Sequence, residues 1–376
     1  RPPDQGVRTV LLRRRSYGTT RVTVFLRPHS LPDSVRAGGE PIASRGVEII
    51  RADGQVTPPA DGAVVTIGAY DGVHLGHRAV IAEVRRRAET LGVRSAVVTF
   101  DRHPAMVVRP ESAPRLLTDL DQKLELLAST GVDVTLVVHF DEQRAKETAE
   151  DFVDEVIVGA LGAREVVVGE DFHFGYQRKG DVDLLRRMGA DAGFTVEGLG
   201  LRSAADVGAE AAAIWADALE AGGSHDKVSS TVIRSALVAG ELERANSLLG
   251  RPHEVRGLVS PGDRRGRELG FPTANVAVPG DILMPADGIY AGWFVRRDGS
   301  VLPTALNLGR RPTFYEQAHA SLLEAHVLDF DGDLYGEHVA VRFVERLHGE
   351  VKYESVEALI EGIGRDVERT RAVLGV

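Results

Sequence analysis

Ala63-Val64-Val65-Thr66-Ile67-Gly68-Ala69-Tyr70-Asp71-Gly72-Val73-His74-Leu75-Gly76-His77 sets out a strand, a tight turn and the start of a helix. Its first five residues form a continuous β-branched and apolar run, suited to a parallel strand buried on both faces. A glycine-rich turn follows. Val80, Ile81, Val84, Ala88 and Leu91 then recur at helical spacing over residues 77–91, and Gly92 stands where it can end that helix. A strand that turns through glycines into a helix N-terminus brings backbone N–H groups and the favourable end of the helix dipole to one point, which suits a phosphate. His74 and His77 flank Gly76 there and can donate hydrogen bonds to phosphate oxygens as charge builds during transfer. Two histidines alone fit a metal pair or satisfied core histidines equally well. Their place at a strand–helix junction favours the phosphate reading.

Outward from this stretch, strands and helices alternate. Strands are expected at 95–100, 134–139 and 165–168, and helices at 119–129 and 148–160. That order predicts a doubly wound parallel sheet, a Rossmann-like α/β domain. The composition turns Ala-rich over 203–224, with a short helix at 209–221, and two more short helices are expected at 231–239 and 241–249. After Arg251-Pro252 the pattern changes. Segments with β-like alternation at 253–259, 289–295, 301–308, 321–328 and 338–344 fit a small antiparallel β-barrel. One helix at 354–374 closes the chain. The expected division is 1–46, a basic and disordered extension, then 47–250 and 251–376.

With 376 residues the chain is long enough for two cores. A net charge of −10 argues against a nucleic-acid footprint over the whole surface. The absence of cysteine excludes disulfides, thiolate metal sites and cysteine nucleophiles. No apolar run approaches the roughly 18 residues needed to span a bilayer. Residues 1–46 carry nine Arg against Asp4, Asp33 and Glu40. An organelle-targeting leader is one reading of that stretch; a disordered extension or translated upstream sequence is the plainer one.

Two further segments carry chemistry. Ser229-Ser230-Thr231-Val232-Ile233-Arg234 opens a helix whose hydroxyls and N–H groups can hold phosphates, with Arg234 one turn on to neutralise a leaving pyrophosphate. Alone, it would read as an ordinary Ser/Thr cap. Gly262 to Asn275 (GDRRGRELGFPTAN) combines flexible glycines, Gly266 and Gly270 among them, with the neutral oxygens of Thr273 and Asn275, which suit Mg²⁺ and ATP phosphates.

The His74–His77 and Ser229–Arg234 segments together resemble the HxGH nucleotidyltransferase superfamily, the second acting as its mobile loop. Thr99-Phe100-Asp101-Arg102-His103-Pro104 and Gly169-Glu170-Asp171-Phe172-His173-Phe174-Gly175 narrow the likeness. They resemble the adenylyltransferase half of the prokaryotic bifunctional riboflavin kinase/FAD synthetase family. The PTAN run, Asn307 to Phe314, Glu324 to Phe330 and Leu334-Tyr335-Gly336 resemble its kinase half in the same order. The likeness covers about 47–374.

The resemblance implies ATP-dependent phosphorylation of riboflavin to FMN in the barrel, then adenylylation of FMN to FAD with release of pyrophosphate. It makes Glu324 the general base, His74, His77 and Arg234 the adenylyl-transfer residues, and Gly68, Tyr70, Asp71, Gly72, Ser229, Ser230, Thr231, Gly266, Gly270, Thr273 and Asn275 contacts of ATP. Flavin contacts would be His103, Pro104, Asp171, Phe172, Phe174, Asn307 and Glu324, and Mg²⁺ would meet Thr273, Asn275 and Asp171. The implied setting is cytoplasmic, with riboflavin, FMN and ATP as partners, no nucleic acid or membrane, and a monomer or weak homo-oligomer. The chain departs from the family pattern at Ala69, where an Asn is usual, at Arg264 and at Arg311, and its 203–224 connection is longer. Ala69 leaves open a riboflavin kinase with a weakened or inactive adenylyltransferase. A non-catalytic flavin-binding regulatory protein is the alternative to an enzyme.

Overall fold

The computed structural model describes residues 14–16, 19–24, 47–52, 56–200, 209–222, 228–262, 266, 269–310 and 321–376. Arg264, Arg311, residues 203–208 and most of the N-terminal 46 lie outside the described residues. By packing, the chain divides into two units. The first holds residues 1–114 and 120–217, the second 115–119 and 218–376.

The first unit is built on an eight-stranded sheet. Strands β3 (Val47–Ala52), β4 (Ala63–Ile67), β5 (Arg94–Phe100), β6 (Val134–Val138), β7 (Ala163–Gly169) and β8 (Thr195–Leu199) run parallel in the order β3-β6-β5-β4-β7-β8. Every residue of β4 and of β6 is buried, which is why their sequences read as unbroken β-branched and apolar runs rather than alternating ones. From β4 the chain goes through β5 to β6 on one side, then crosses to β7 and β8 on the other. The topological switch point therefore falls between β4 and β7.

Helix α1 (Leu75–Leu91) follows β4 and ends on Gly92, whose left-handed backbone returns its N–H to the Ala88 and Glu89 carbonyls. Helices α2 (Pro104–Val108) and α3 (Leu120–Ser129) come next. The helix expected over 148–160 is two segments: α4 (Ala149–Phe152), capped by Thr148, passes into π-helical turns over Val153–Ala160. Helix α5 (Val182–Ala192) precedes β8; neither element is among those read from the sequence. Helix α6 is Ala209–Gly222.

The sequence reading treats 1–46 as disordered. Within it the structure describes two strands, β1 (Arg14–Ser16) and β2 (Thr19–Val24), added antiparallel outside β3. The β-branched run Thr19-Thr20-Arg21-Val22-Thr23-Val24 favours that pairing.

The second unit contains a closed barrel in the order β10-β13-β12-β11-β14-β9. Its strands are β9 (His253–Ser260), β10 (Ala274–Ala277), β11 (Gly288–Val295), β12 (Val301–Arg310), β13 (Ser321–Val327) and β14 (His338–His348). Helices α7 (Ser230–Ala239) and α8 (Leu242–Leu249) pack in this unit. Asn246 on α8 donates to the Phe343 carbonyl of β14 at 2.9 Å and accepts from the His253 N–H of β9 at 2.7 Å. The sequence reading places both helices within 47–250; by packing they lie in the same unit as the barrel. Helix α9 (Val356–Leu374) closes the chain, and His348 on β14 holds it through a 2.8 Å bond to Asp366.

Candidate functional sites

The loops after β4, β5 and β7 leave the carboxyl edge of three adjacent strands, at the switch point where open α/β sheets bind ligands. Each carries one of the motifs read from the sequence. Residues 68–74 are held in an unusual shape. Gly72 has φ 83°, Tyr70 φ 50° and Val73 φ 38°. A β-branched residue at positive φ is costly and persists only where its surroundings enforce it. Tyr70 is 3% exposed, and its hydroxyl donates to Thr66 Oγ1 at 2.8 Å. Burial drives its phenol pKa upward. Tyr70 therefore braces the loop from beneath, and Asp71 is buried beside it in sequence.

His74 caps α1, its Nδ1 accepting the His77 N–H at 3.3 Å. With Nδ1 used as an acceptor, a neutral His74 carries its proton on Nε2 and can donate from there. The two imidazoles stack with centroids 3.6 Å apart, so both expected phosphate donors stand at one helix N-terminus. At the end of β5, His103 caps α2 by accepting the Ala105 N–H, and Pro104 takes the first helical position. Asp101 accepts from the N–H groups of Arg102 and Phe140 and from His139 Nδ1. Burial works against its charge, yet these donors hold the Asp101 carboxyl below its ordinary range. After β7, Asp171 is exposed on a turn. Phe172 is half-buried and stacks on Phe174 at 5.4 Å. Phe174 belongs to the sheet core, where it also meets Phe152.

Sequence reasoning missed Lys123. It lies on α3 and is only 7% exposed, with its ammonium donating to the Phe100 carbonyl at 2.7 Å and the Ala69 carbonyl at 3.4 Å. Thr99 Oγ1 donates to the same Ala69 carbonyl at 3.2 Å. Burial lowers the Lys123 pKa to about 8, partly opposed by the charges of Asp71 and Asp101.

Among the second unit's residues, Ser229 caps α7 by accepting the Val232 N–H at 3.3 Å; Ser230 and Thr231 begin the helix. Arg234 donates from Nε to the Arg115 carbonyl at 2.7 Å.

In the barrel, the register places Asn275 of β10 opposite Glu324 of β13, and Glu324 opposite Asn307 of β12. Three residues read from separate motifs thus share one face of three neighbouring strands. Asn307 Nδ2 donates to Glu324 Oε2 at 3.2 Å. Asn275 is 8% exposed, and its Oδ1 has no hydrogen-bond partner among the described residues. A buried amide oxygen without a donor fits a cation ligand. A Cβ at Gly262 would lie 1.9 Å from Asn275 Nδ2, so any larger residue there would push the Asn275 side chain aside. Gly266 accepts the Leu269 and Phe271 N–H groups, and Gly270 has φ 88°. His326 donates to the Pro272 carbonyl at 2.8 Å and meets the Phe271 ring edge-on, fixing the turn before Thr273. Thr273 lines a cavity of about 370 Å³ with Ala274, Ala325, Val327, Phe330 and Tyr335 among its walls. Among the described residues, no cluster of three or more His, Asp or Glu side chains could hold a metal by itself.

The FAD synthetase family model matches residues 57–207 and the riboflavin kinase family model residues 249–374. A bifunctional riboflavin kinase/FMN adenylyltransferase of Pseudomonas fluorescens is 38% identical over 327 residues, 87% of this chain and 98% of the relative. The protein of that name in Listeria monocytogenes is 37% identical over 82% of this chain and 91% of its own length. A solved structure described as a macrolide-efflux protein of Streptococcus pneumoniae is 27% identical with a TM-score of 0.72, covering 86% of this chain and 98% of that one. No helix among the described residues is long and apolar enough to cross a membrane. Both modules are present in one order and nearly the full length of the relatives is matched, so the chain belongs to the bifunctional riboflavin kinase/FMN adenylyltransferase family.

Proposed function

We propose that this chain phosphorylates riboflavin to FMN with one ATP and joins FMN to the adenylyl group of a second ATP, giving FAD and pyrophosphate. The observation that carries the reading is the meeting of separate motifs at each site. Three loops converge on the carboxyl edge of β4, β5 and β7, and Asn275, Glu324 and Asn307 fall in register on β10, β13 and β12.

In the kinase step the Glu324 carboxylate accepts the proton of the riboflavin 5′-hydroxyl as that oxygen bonds to the γ-phosphorus and ADP leaves. Asn307 orients Glu324 through its 3.2 Å hydrogen bond. Thr273 and Asn275 would hold Mg²⁺, and the buried Asn275 Oδ1 supports that role. When bound, the ion neutralises charge on the ATP phosphates. Gly266 and Gly270 shape the loop beside them.

In the adenylyl step an FMN phosphate oxygen attacks the α-phosphorus and its bond to pyrophosphate breaks. His74 and His77 donate to the phosphate oxygens from the α1 N-terminus, with Gly68 and Gly72 admitting the nucleotide and Tyr70 and Asp71 holding the loop. Phe172, backed by Phe174, meets the flavin with His103 and Pro104. Asp171 would stand beside the nucleotide and its metal. The motif resemblance makes Ser229, Ser230, Thr231 and Arg234 further ATP contacts. We assign adenylylation to residues 47–250 and phosphorylation to 251–376.

The proposed setting is the cytoplasm, as a monomer or weak homo-oligomer acting on small molecules rather than on nucleic acid or membrane; the net charge of −10 supports the exclusion of nucleic acid. Separate assays of riboflavin with ATP and of FMN with ATP test the two activities. Absence of either product from its own substrate removes that half of the reading.

A further inference from the structure

We infer that Lys123 is a positioning residue for adenylyl transfer, tying the β4–α1 loop that leads to His74 and His77 to the end of β5 that leads to His103 and Pro104. The inference rests on the adenylylation reading above. A buried lysine is expensive to charge, and Lys123 stands almost wholly buried on α3. Its two bonds go to Ala69, second residue of the β4–α1 loop, and to Phe100, last residue of β5. One ammonium on a third element therefore sets the spacing of two loops that must present different substrates to each other. Thr99 shares the Ala69 carbonyl, so the anchor is a small network rather than a lone bond.

The charged groups facing this ammonium are Asp71 from the β4–α1 loop and Asp101 from the end of β5, the latter paired with His139. Both carboxylates favour the protonated amine, while burial opposes it. Loss of the proton replaces charge-assisted bonds to the two carbonyls with weaker neutral ones. The loops should then be held less firmly as pH rises through about 8.

Full-length wild type, Lys123→Met and Lys123→Arg are assayed for FAD from FMN and ATP across pH, and for FMN from riboflavin as an internal control. Lys123→Met keeps the apolar stem and loses both bonds. A loop displaced by about 1 Å costs up to ~100-fold in rate, so kcat for FAD should fall ~10–100-fold. FMN formation should stay at the wild-type level. Lys123→Arg keeps a permanent charge and should restore most of the FAD rate while removing the decline that wild type shows above pH 8. A Lys123→Met enzyme with wild-type kcat overturns the inference. So does a Lys123→Arg enzyme that declines at the same pH as wild type, and this second criterion decides the matter if Lys123→Met does not fold. A wild type that makes no FAD from FMN would instead remove the adenylylation reading, and the inference with it.

Discussion

Replacing Glu324 with Gln separates the two reactions. The side chain sits between Asn275 and Asn307 in the strand register, and Asn307 Nδ2 reaches its Oε2 at 3.2 Å. Gln has the same length and can still accept that hydrogen bond, so the barrel should fold unchanged. What it lacks is a basic oxygen to take the hydroxyl proton. General-base catalysis by a positioned side chain is worth roughly 10²–10⁴-fold, or about 3–5 kcal/mol of barrel-site transition-state stabilisation. Riboflavin plus ATP should therefore yield almost no FMN. FMN plus ATP should yield FAD at the wild-type rate, because the adenylyl-transfer residues are untouched. Chromatographic resolution of riboflavin, FMN and FAD over time reads both arms in one experiment. A folded Glu324→Gln enzyme with undiminished kinase turnover would make Glu324 a structural strand residue. Loss of both activities in a folded variant would contradict the independence of the two sites.

Three further outcomes follow. His77→Ala removes one of the stacked imidazoles and should slow FAD formation about a hundredfold, roughly 3 kcal/mol, while FMN still forms; full FAD synthesis would reject its role. Gly262→Ala would place a methyl 1.9 Å from Asn275 Nδ2 and displace that side chain, so kinase turnover should fall by one to two decades, up to ~100-fold, with FAD synthesis from FMN unchanged. An active Gly262→Ala kinase would mean the segment can yield without moving Asn275. The fourth perturbation concerns stability. Burial works against the charged form of His348, but Asp366 and the Gly349 carbonyl outweigh it, so its folded pKa is raised. That contribution is fully present below the unfolded imidazole pKa and is lost as pH rises through the folded one. Thermal unfolding of the barrel should accordingly move to lower temperature across that window in wild type and much less in Asp366→Asn; equal pH slopes would exclude the pair as the cause.

Much of the fold was legible in the sequence. The fully buried β4 and β6 could read only as unbroken apolar and β-branched runs, and the barrel strands alternate because they bury one face. Strand β10 was missed because Ala274–Ala277 is four residues long and gives no period. Strand β8 includes Gly198, which weakens its signal. The π-helical turns after α4 keep nearly the same apolar spacing as an α-helix, so 148–160 read as one element.

The kinase constellation was visible as motifs, but the facing of Asn275, Glu324 and Asn307 depends on strand register, which spacing along the chain does not contain. Lys123 illustrates the opposite limit. A single lysine on an amphipathic helix ordinarily reads as solvated. Only the tertiary approach of the Ala69 and Phe100 carbonyls turns it inward. Phe174 shows how a motif mixes roles: Phe172 stays half-exposed, while Phe174 two residues on is committed to the core.

Incubating the full-length protein with riboflavin, ATP and Mg²⁺ asks whether one chain performs both steps in order. The predicted record has FMN rising first and FAD following after a lag, with pyrophosphate appearing alongside FAD and ADP alongside FMN. Riboflavin recovered unchanged, or FMN accumulating without any FAD while ATP remains in excess, would contradict it.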